Sequence, residues 1–404
     1  MVNKNITNFT KKAFEFGRGI LHLAPCWVPR SFLIPGKRMK LHPDDIYALG
    51  IDRGGISERW FASTTTASNG PDAPADEGLS YVVYDKEKYS LKEIIENAGE
   101  EILGKEMINN FGGWKVYAKF FDNFELIPFH LHLKDFDAKK VGKEGKPEGY
   151  YFPIQLNSIE HSFPYSFFGL EPDTTREDII NCLKRWDNGD NDILSYSKAY
   201  KIKSGSGWLL PPGILHAPGT LVTFEVQWAS DAFCMYQSMV MGKKVDRSLL
   251  MKEVPKEKQG DLYYLLDLID WDLNKLSDFK KKFYLEPVIC DDANVYGYIE
   301  KWIIYGRIDG KEYFSAKELT VFPNQKVKIK ENGAYGMIVI QGLGTLNNFR
   351  IYSPTLIRYN ELTDDEYFIT YNTAREGVEI ENTGKENLVI LKYFGPDTNF
   401  KNCA

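Results

Sequence analysis

The stretch "PFHLHLKDFD", residues 128–137, sets His130 and His132 one leucine apart in a chain that has six histidines altogether. Alternate side chains of an extended strand share a face, so the two imidazoles point the same way. At that spacing both reach one metal ion, each at about 2.0–2.1 Å for zinc. A third imidazole, His216, follows a run with Gly205, Pro211 and Gly213 in "GSGWLLPPGILHAPG". The Pro-Gly turn ends one strand and starts the next, which delivers His216 to the mouth between them. The next strand divides its faces: Thr223, Glu225 and Gln227 on one, Val222, Phe224, Val226 and Trp228 on the other. A carboxylate and an amide inside a strand make sense where its polar face lines a site.

The elements that carry these residues are legible in outline. Phe124, Leu126, Pro128, His130 and His132 lie on one face of "NFELIPFHLHLK", and Ile127, Phe129, Leu131 and Leu133 on the other. A strand apolar on both faces is covered on both sides, so the histidines are expected to point into an interior. Two helices open with capping boxes, Ser90 with Glu93 and Thr175 with Asp178, the second running "TREDIINCLKRWDNG" to a glycine. The stretch 261–283, "DLYYLLDLIDWDLNKLSDFKKKF", predicts a helical connector. Beyond it, β-branched and aromatic runs are broken by Gly and Asn about every ten residues, which predicts a sandwich or barrel.

A length of 404 residues is too great for one ordinary core. The expected division is a first domain over 1–255 with helical insertions near 90–105 and 175–188, a connector over 256–284, and a second β domain over 285–404. The second domain has no histidine and is expected to be metal-free, serving packing, rim contacts or a homodimer. Apolar residues at 43% and charged residues at 26% are the balance of a soluble globular protein. The net charge of -6 offers no basic field for nucleic acid or an anionic membrane surface. The chain has no apolar run of the about 18 residues that a transmembrane helix needs. The opening "MVNKNITNFTKKAFEF" lacks the apolar core of a signal peptide, so a cytoplasmic setting is expected and the Asn5-Ile6-Thr7 sequon is not expected to matter. Cys26, Cys182, Cys234, Cys290 and Cys403 are scattered and odd in number, which predicts reduced thiols.

The spacing from Gly205 through Pro211 and Gly213 to His216 matches the second motif of the cupins. Cupins place a glutamate a few residues after His-x-His, where this chain has only Asp135 and Asp137. Glu148 comes later, in "GKPEGYYFPIQL". With that segment the chain resembles the type I phosphomannose isomerases, which are bicupins, over residues 50–240. "ISERWFAS", "EGLSYVV" leading into "SLKEIIENAGEEILG", "GWKVYAKFFDNFELIPFHLH", the Lys-Pro-Glu segment and "LPPGILHAPGTLVTFEVQWASD" resemble family segments in the family's order.

The resemblance implies a mainly β fold of two jelly-roll barrels with helical insertions and a helical connector. It implies metal ligation by His132, Glu148 and His216, with His130 where the family usually has glutamine. Lys146 falls on the family's active-site lysine and Glu225 on its carboxylate near the metal. Three histidines and a glutamate suit one divalent ion, zinc by resemblance, with Mn, Fe, Ni and Co also compatible. Met235 stands where the family has an arginine thought to assist at the reacting end of the substrate. The implied activity is aldose–ketose isomerisation of a sugar or sugar phosphate, with Glu225 or Lys146 as base. An isomerase of an unphosphorylated sugar, a metal-dependent oxygenase and a non-catalytic sugar-binding protein stay open as alternatives.

Five further features carry weaker signals. Lys134, one step outward on the histidine face, is a candidate for an anionic substrate group, as is Arg53 with its glycine-flanked backbone in "DRGGIS". His42 in "LHPDDIYALG" reads as a loop residue and His161 as a strand-end or pocket-rim residue. Gly342-Leu343-Gly344 reads as a strand turn, since no helix follows to hold a nucleotide phosphate.

Overall fold

The computed structural model describes residues 4–159, 162–290 and 297–398. The fold is mainly β, built from antiparallel sheets. A seven-stranded sheet runs in the order Tyr284–Leu285, Gly207–Leu210, Glu148–Tyr151, Thr223–Trp228, Val116–Phe121, Ile56–Phe61 and Cys26–Pro29. A five-stranded sheet has the order Ser197–Lys201, Tyr165–Leu170, His216–Ala217, His130–Leu131 and Cys234–Met235. Phe121, Tyr150 and Trp208 of the first sheet share one core with Phe168, Leu131 and Ala217 of the second.

The second half repeats the plan with a nine-stranded and a four-stranded sheet. Leu319, Met337 and Ile390 of the larger share a core with Val327, Leu346 and Ile380 of the smaller. Hydrogen bonding crosses the division expected near 256–284: Ile20–Ala24 pairs with both Glu366–Ile369 and Tyr81–Tyr84. The N-terminal strand and the hairpin Tyr81–Tyr84, Glu87–Ser90 therefore extend the sheet of the C-terminal half. The two halves meet sheet to sheet. Phe224 and Val226, on the outward face of Thr223–Trp228, pack in one core with Ala316, Leu391 and Tyr393. Each such side chain contributes about 1.5–3 kcal/mol when fully buried. Gly149, beside Glu148, keeps the sheets close, because a Cβ there would lie 2.4 Å from Ile304 Cγ2.

Both capping boxes form, Ser90 with Glu93 at the head of Leu91–Leu103 and Thr175 with Asp178 at the head of Arg176–Lys184. Three local expectations change. The α-helix after Thr175 ends at Lys184, and only a short 3-10 turn, Trp186–Asn188, carries the chain on to Gly189. The connector is three short helices, Leu262–Leu268, Trp271–Asn274 and Phe279–Phe283. Ile269 turns extended and Asp270 restarts the helix by accepting the Leu273 N–H, so one continuous helix is not the local minimum. The strand around the histidines is also short, spanning His130–Leu131. Pro128 has no N–H to give a ladder, and the chain before it makes only isolated bridges such as Leu126 to Gly219. The helix Lys4–Gly17 was not anticipated.

Inside the second pair of sheets lies a quartet of buried charges. Lys317 Nζ is 3.1 Å from Glu300 and 2.9 Å from Glu331, and Lys392 Nζ bonds both glutamates. Lys317 and Lys392 are directly paired across adjacent strands, so they share a face and only the two carboxylates between them make that tolerable. Removing one charge strands its partners in an apolar interior. Lys392→Met is expected to lower the unfolding free energy by about 3–5 kcal/mol in urea titrations. Adding Glu300→Leu to it should cost less than the sum of the two single changes.

Candidate metal centre

His130 is placed by its neighbours on both sides. Its backbone pairs with His216 in one flanking strand and Met235 in the other. Directly paired residues present their side chains on one face, so His216 and Met235 flank it. The His130 and His216 rings are 4.2 Å apart, and His132 lies 5.1 Å from each. One ring nitrogen from each of the three lies within 4.8 Å of the others, and all three residues are buried. Gly213 makes the turn that delivers His216. Its φ of +84 is left-handed, and a Cβ would lie 2.8 Å from Lys134 Cε. Its N–H donates to the His132 carbonyl at 2.7 Å, tying the two histidine segments together.

Hydrogen bonding fixes what the rings offer. Nδ1 of His130 lies 2.7 Å from the Pro128 carbonyl, that of His132 2.7 Å from Ala232 O, and that of His216 2.8 Å from Ile214 O. A carbonyl oxygen only accepts, so each Nδ1 carries the proton and donates it. In the neutral ring the remaining lone pair is on Nε2. Burial, with His216 and His132 adding to it, pushes His130 well below the ordinary imidazole range. Burial and then Lys146 bring His132 down to about 4. The neutral His130 and His132 rings therefore turn Nε2 lone pairs inward. Glu148 Oε2 is 3.0 Å from His132 Nε2, and its Oε1 is 2.9 Å from His216 Nε2. At His132 a lone pair faces a carboxylate oxygen, with the Lys146 ammonium 3.3 Å away as its donor. Glu148 Oε2 and His216 Nε2 are buried without a hydrogen bond among the described residues.

The opposite wall is the inner face of the seven-stranded sheet, where cross-strand pairing sets polar side chains in rows. Trp60 pairs with Lys119, Lys119 with Glu225, and Glu225 with Tyr150. Gln227 pairs with Glu148 on one side and Tyr117 on the other. The Tyr150 hydroxyl, pushed up by burial and then by Glu148 and Glu225, keeps its proton and donates it to Glu148 Oε1. Lys146 Nζ sits 3.3 Å from Glu148 Oε2 and 3.4 Å from Glu225 Oε1, and Lys119 Nζ sits 3.1 Å from Glu225 Oε2. Burial opposes the Lys146 charge, but Glu225, Glu148 and Asp231 outweigh it and raise the ammonium above its ordinary value. Burial also raises Glu225, to about 7, against the pull of Lys119 and Lys146. Arg30, buried, is forked between Glu58 at 2.9 Å and Asp231 at 3.1 Å. A cleft of about 660 Å³ opens at Asp231, with Thr65, Thr66, Ser68, Asn69 and Ser230 on its walls.

His130, His132, Glu148, His216, Lys146 and Glu225 thus come together in one buried cluster. Lys134 and Arg53 do not join it. Lys134, partly exposed, pairs with Asp270 at 2.6 Å, and Arg53 pairs with Glu77 at 2.5 Å. His42 caps the turn Pro43–Asp45, and His161 lies outside the described residues. Gly342, with φ +81, turns the chain into the strand Leu343–Leu346. Lys119, Glu58, Arg30, Asp231 and Tyr150 were not assigned from the sequence. For Glu58, Lys119 and Tyr150 the signal was a charged or phenolic side chain inside an apolar strand, as in "KVYAKFF" and "ISERWF"; Arg30 and Asp231 follow the ends of strands.

No protein-family model matches the chain, and no curated protein matches it. Solved structures do. A protein of Archaeoglobus fulgidus described as a mannosephosphate isomerase aligns over 93% of this chain and 97% of its own, with TM-score 0.61 and 14% identity. The mannose 6-phosphate isomerase from Bacillus subtilis aligns over 93% and 99%, with TM-score 0.61 and 16% identity. A point mutant of the phosphomannose isomerase from Salmonella typhimurium aligns over 93% and 99%, with TM-score 0.59 and 12% identity. At such identity the likeness is one of fold.

The donor set itself fits a divalent cation: imidazole nitrogens and a carboxylate converge, and no proton donor stands between His216 Nε2 and Glu148. Purified protein is expected to carry one divalent ion per chain by elemental analysis, and His216→Ala to carry none. Chelation should lower the unfolding free energy of the wild type, by about 2.7 kcal/mol relative to free metal at a hundredfold Kd, and leave His216→Ala unmoved.

Proposed function

We propose that this protein interconverts an aldose and a ketose by moving a proton between adjacent carbons at the His130, His132, Glu148, His216 centre. The observation that carries the reading is the pair Glu225 and Lys146, 3.4 Å apart beside Glu148, with their proton affinities pushed in useful directions. A divalent ion bound there supplies Lewis-acid polarisation of the sugar carbonyl and neighbouring hydroxyl. Glu225, raised to about 7, has the proton affinity of a general base that works near neutrality. Lys146 stays an ammonium in this surrounding, so it donates to the oxygen that gains charge rather than taking the proton. Lys119, 3.1 Å from Glu225, holds the carboxylate in place. Burial of all these groups excludes water from the transferred proton. The likeness in fold to the mannose 6-phosphate isomerase from Bacillus subtilis agrees with a sugar as substrate.

A second reading, an unphosphorylated sugar, is favoured by the side chains near the mouth. Met235 beside His130 is buried and apolar, and the cleft is lined by the hydroxyls of Thr65, Thr66, Ser68 and Ser230 and the Asn69 amide, while its Lys143 is paired with Glu253 at 2.6 Å. Such walls match neutral hydroxyls better than a phosphate dianion.

Coupled assays of mannose 6-phosphate against mannose and lyxose, with Mn or Zn supplied, test both readings. Turnover of the phosphate ester upholds the first, turnover of free sugars alone the second, and turnover of none with saturable sugar binding would replace catalysis by binding. Glu225→Gln is expected to lower kcat by about 10²–10⁴, and also to lower the unfolding midpoint, since it leaves Lys119 and Lys146 without that counter-charge. Because the base acts deprotonated, wild-type kcat/KM should fall as pH drops below about 7 and level off above it. Lys146→Met should lower kcat and move that inflection upward, because the Lys146 charge holds the Glu225 carboxyl down.

A further inference from the structure

A second cavity, of about 530 Å³, lies where the two halves of the chain meet. Three rings from separate elements line it: Phe111 at the end of the helix Lys105–Phe111, Trp228 at the end of Thr223–Trp228, and Tyr313 before Ser315–Val321. Trp228 and Tyr313 are 5.2 Å apart at 89°, and Phe111 and Trp228 are 6.3 Å apart at 73°. The indole N–H of Trp228 is already spent on Glu144, so the ring offers the cavity its π system and not a donor.

Carboxylates complete the walls. Glu312, Asp397, Asp135 and Glu144 line the cavity against Lys139 and Lys311, and both lysines are exposed. Two of the four acids are engaged: Glu144 with Lys115 at 2.7 Å, and Asp135 with the Gly145 N–H at 2.9 Å. Glu312 differs from the others. It is only 5% exposed, and its Oε1 has no hydrogen-bond partner among the described residues. Burial, with Asp397 adding to it and Arg307 and Ser315 opposing, raises its carboxyl to about 8. A buried acid kept neutral beside a second acid is a place where a cation would be repaid in full by ionising it.

We propose that the Phe111, Trp228, Tyr313 and Glu312 cavity binds a small alkylated ammonium ion. Three rings in different planes beside a buried carboxylate make a lining that favours a diffuse organic cation over a hydrated metal ion. A sugar would be served by one flat platform with hydrogen-bonding groups in its plane, whereas this cavity has upright rings and a carboxylate. The cavity shares Glu144 with the cleft at Asp231, yet none of its rings touches the histidine cluster, so the proposal stands independently of the isomerase reading.

The test is calorimetric titration of the full-length, metal-loaded protein with choline, with its neutral isostere 3,3-dimethylbutanol and with methyl mannoside. Saturable choline binding is expected, with the neutral isostere about tenfold or more weaker. Glu312→Gln and Tyr313→Leu should each weaken choline by a similar factor at an unchanged unfolding midpoint. Should either variant unfold, Phe111→Leu takes its place and should weaken choline likewise. Equal binding of choline and the isostere, full affinity in the variants, preference for methyl mannoside, or no saturable choline signal would each overturn the proposal.

Discussion

The first half of this protein is organised around one electrostatic problem: three buried imidazoles bring ring nitrogens within 4.8 Å of one another, and a carboxylate is set against two of them. The three Nδ1–H bonds to backbone carbonyls lock the rings in that arrangement, so the problem cannot be relieved by rotating a side chain. A cation is the natural resolution.

The second half meets a similar demand without imidazoles. Lys317 and Lys392 alternate with Glu300 and Glu331 as a closed set of ion pairs in the corresponding interior. Such a set is self-satisfied and needs no ligand. The two interiors are insulated from each other by the apolar layer of Phe224, Val226, Leu391 and Tyr393. That layer lets one strand, Thr223–Trp228, carry the buried polar cluster on one face and cohesion on the other.

Much of this was legible in the sequence because it obeys short-range rules. The alternation of Thr223, Glu225 and Gln227 with Val222, Phe224 and Val226 reads directly as a two-faced strand, and the capping boxes read directly as helix starts. The Gly205, Pro211, Gly213, His216 spacing names a turn, and the structure supplies its reason in the left-handed φ of Gly213. What failed were the interruptions. The strand before His130 is cut short by Pro128, which has no N–H to give, and the connector is broken at Ile269 and Asp270, where the Asp270 side chain caps a new helix; both are local signals that hydrophobic periodicity passes over.

By itself the sequence determined the residue types, their faces and the histidine segments, since alternation and turn chemistry are properties of a few consecutive residues. Only the tertiary structure decided which residues meet. Lys119 reaches Glu225 through pairing of strands more than a hundred residues apart, and Arg30 bridges Glu58 and Asp231 across two hundred. Lys134, one residue from the histidine segment, turns instead to Asp270. Closeness along the chain governs which way a side chain faces, but sheet register governs what it faces, and register is set by the burial of whole strands.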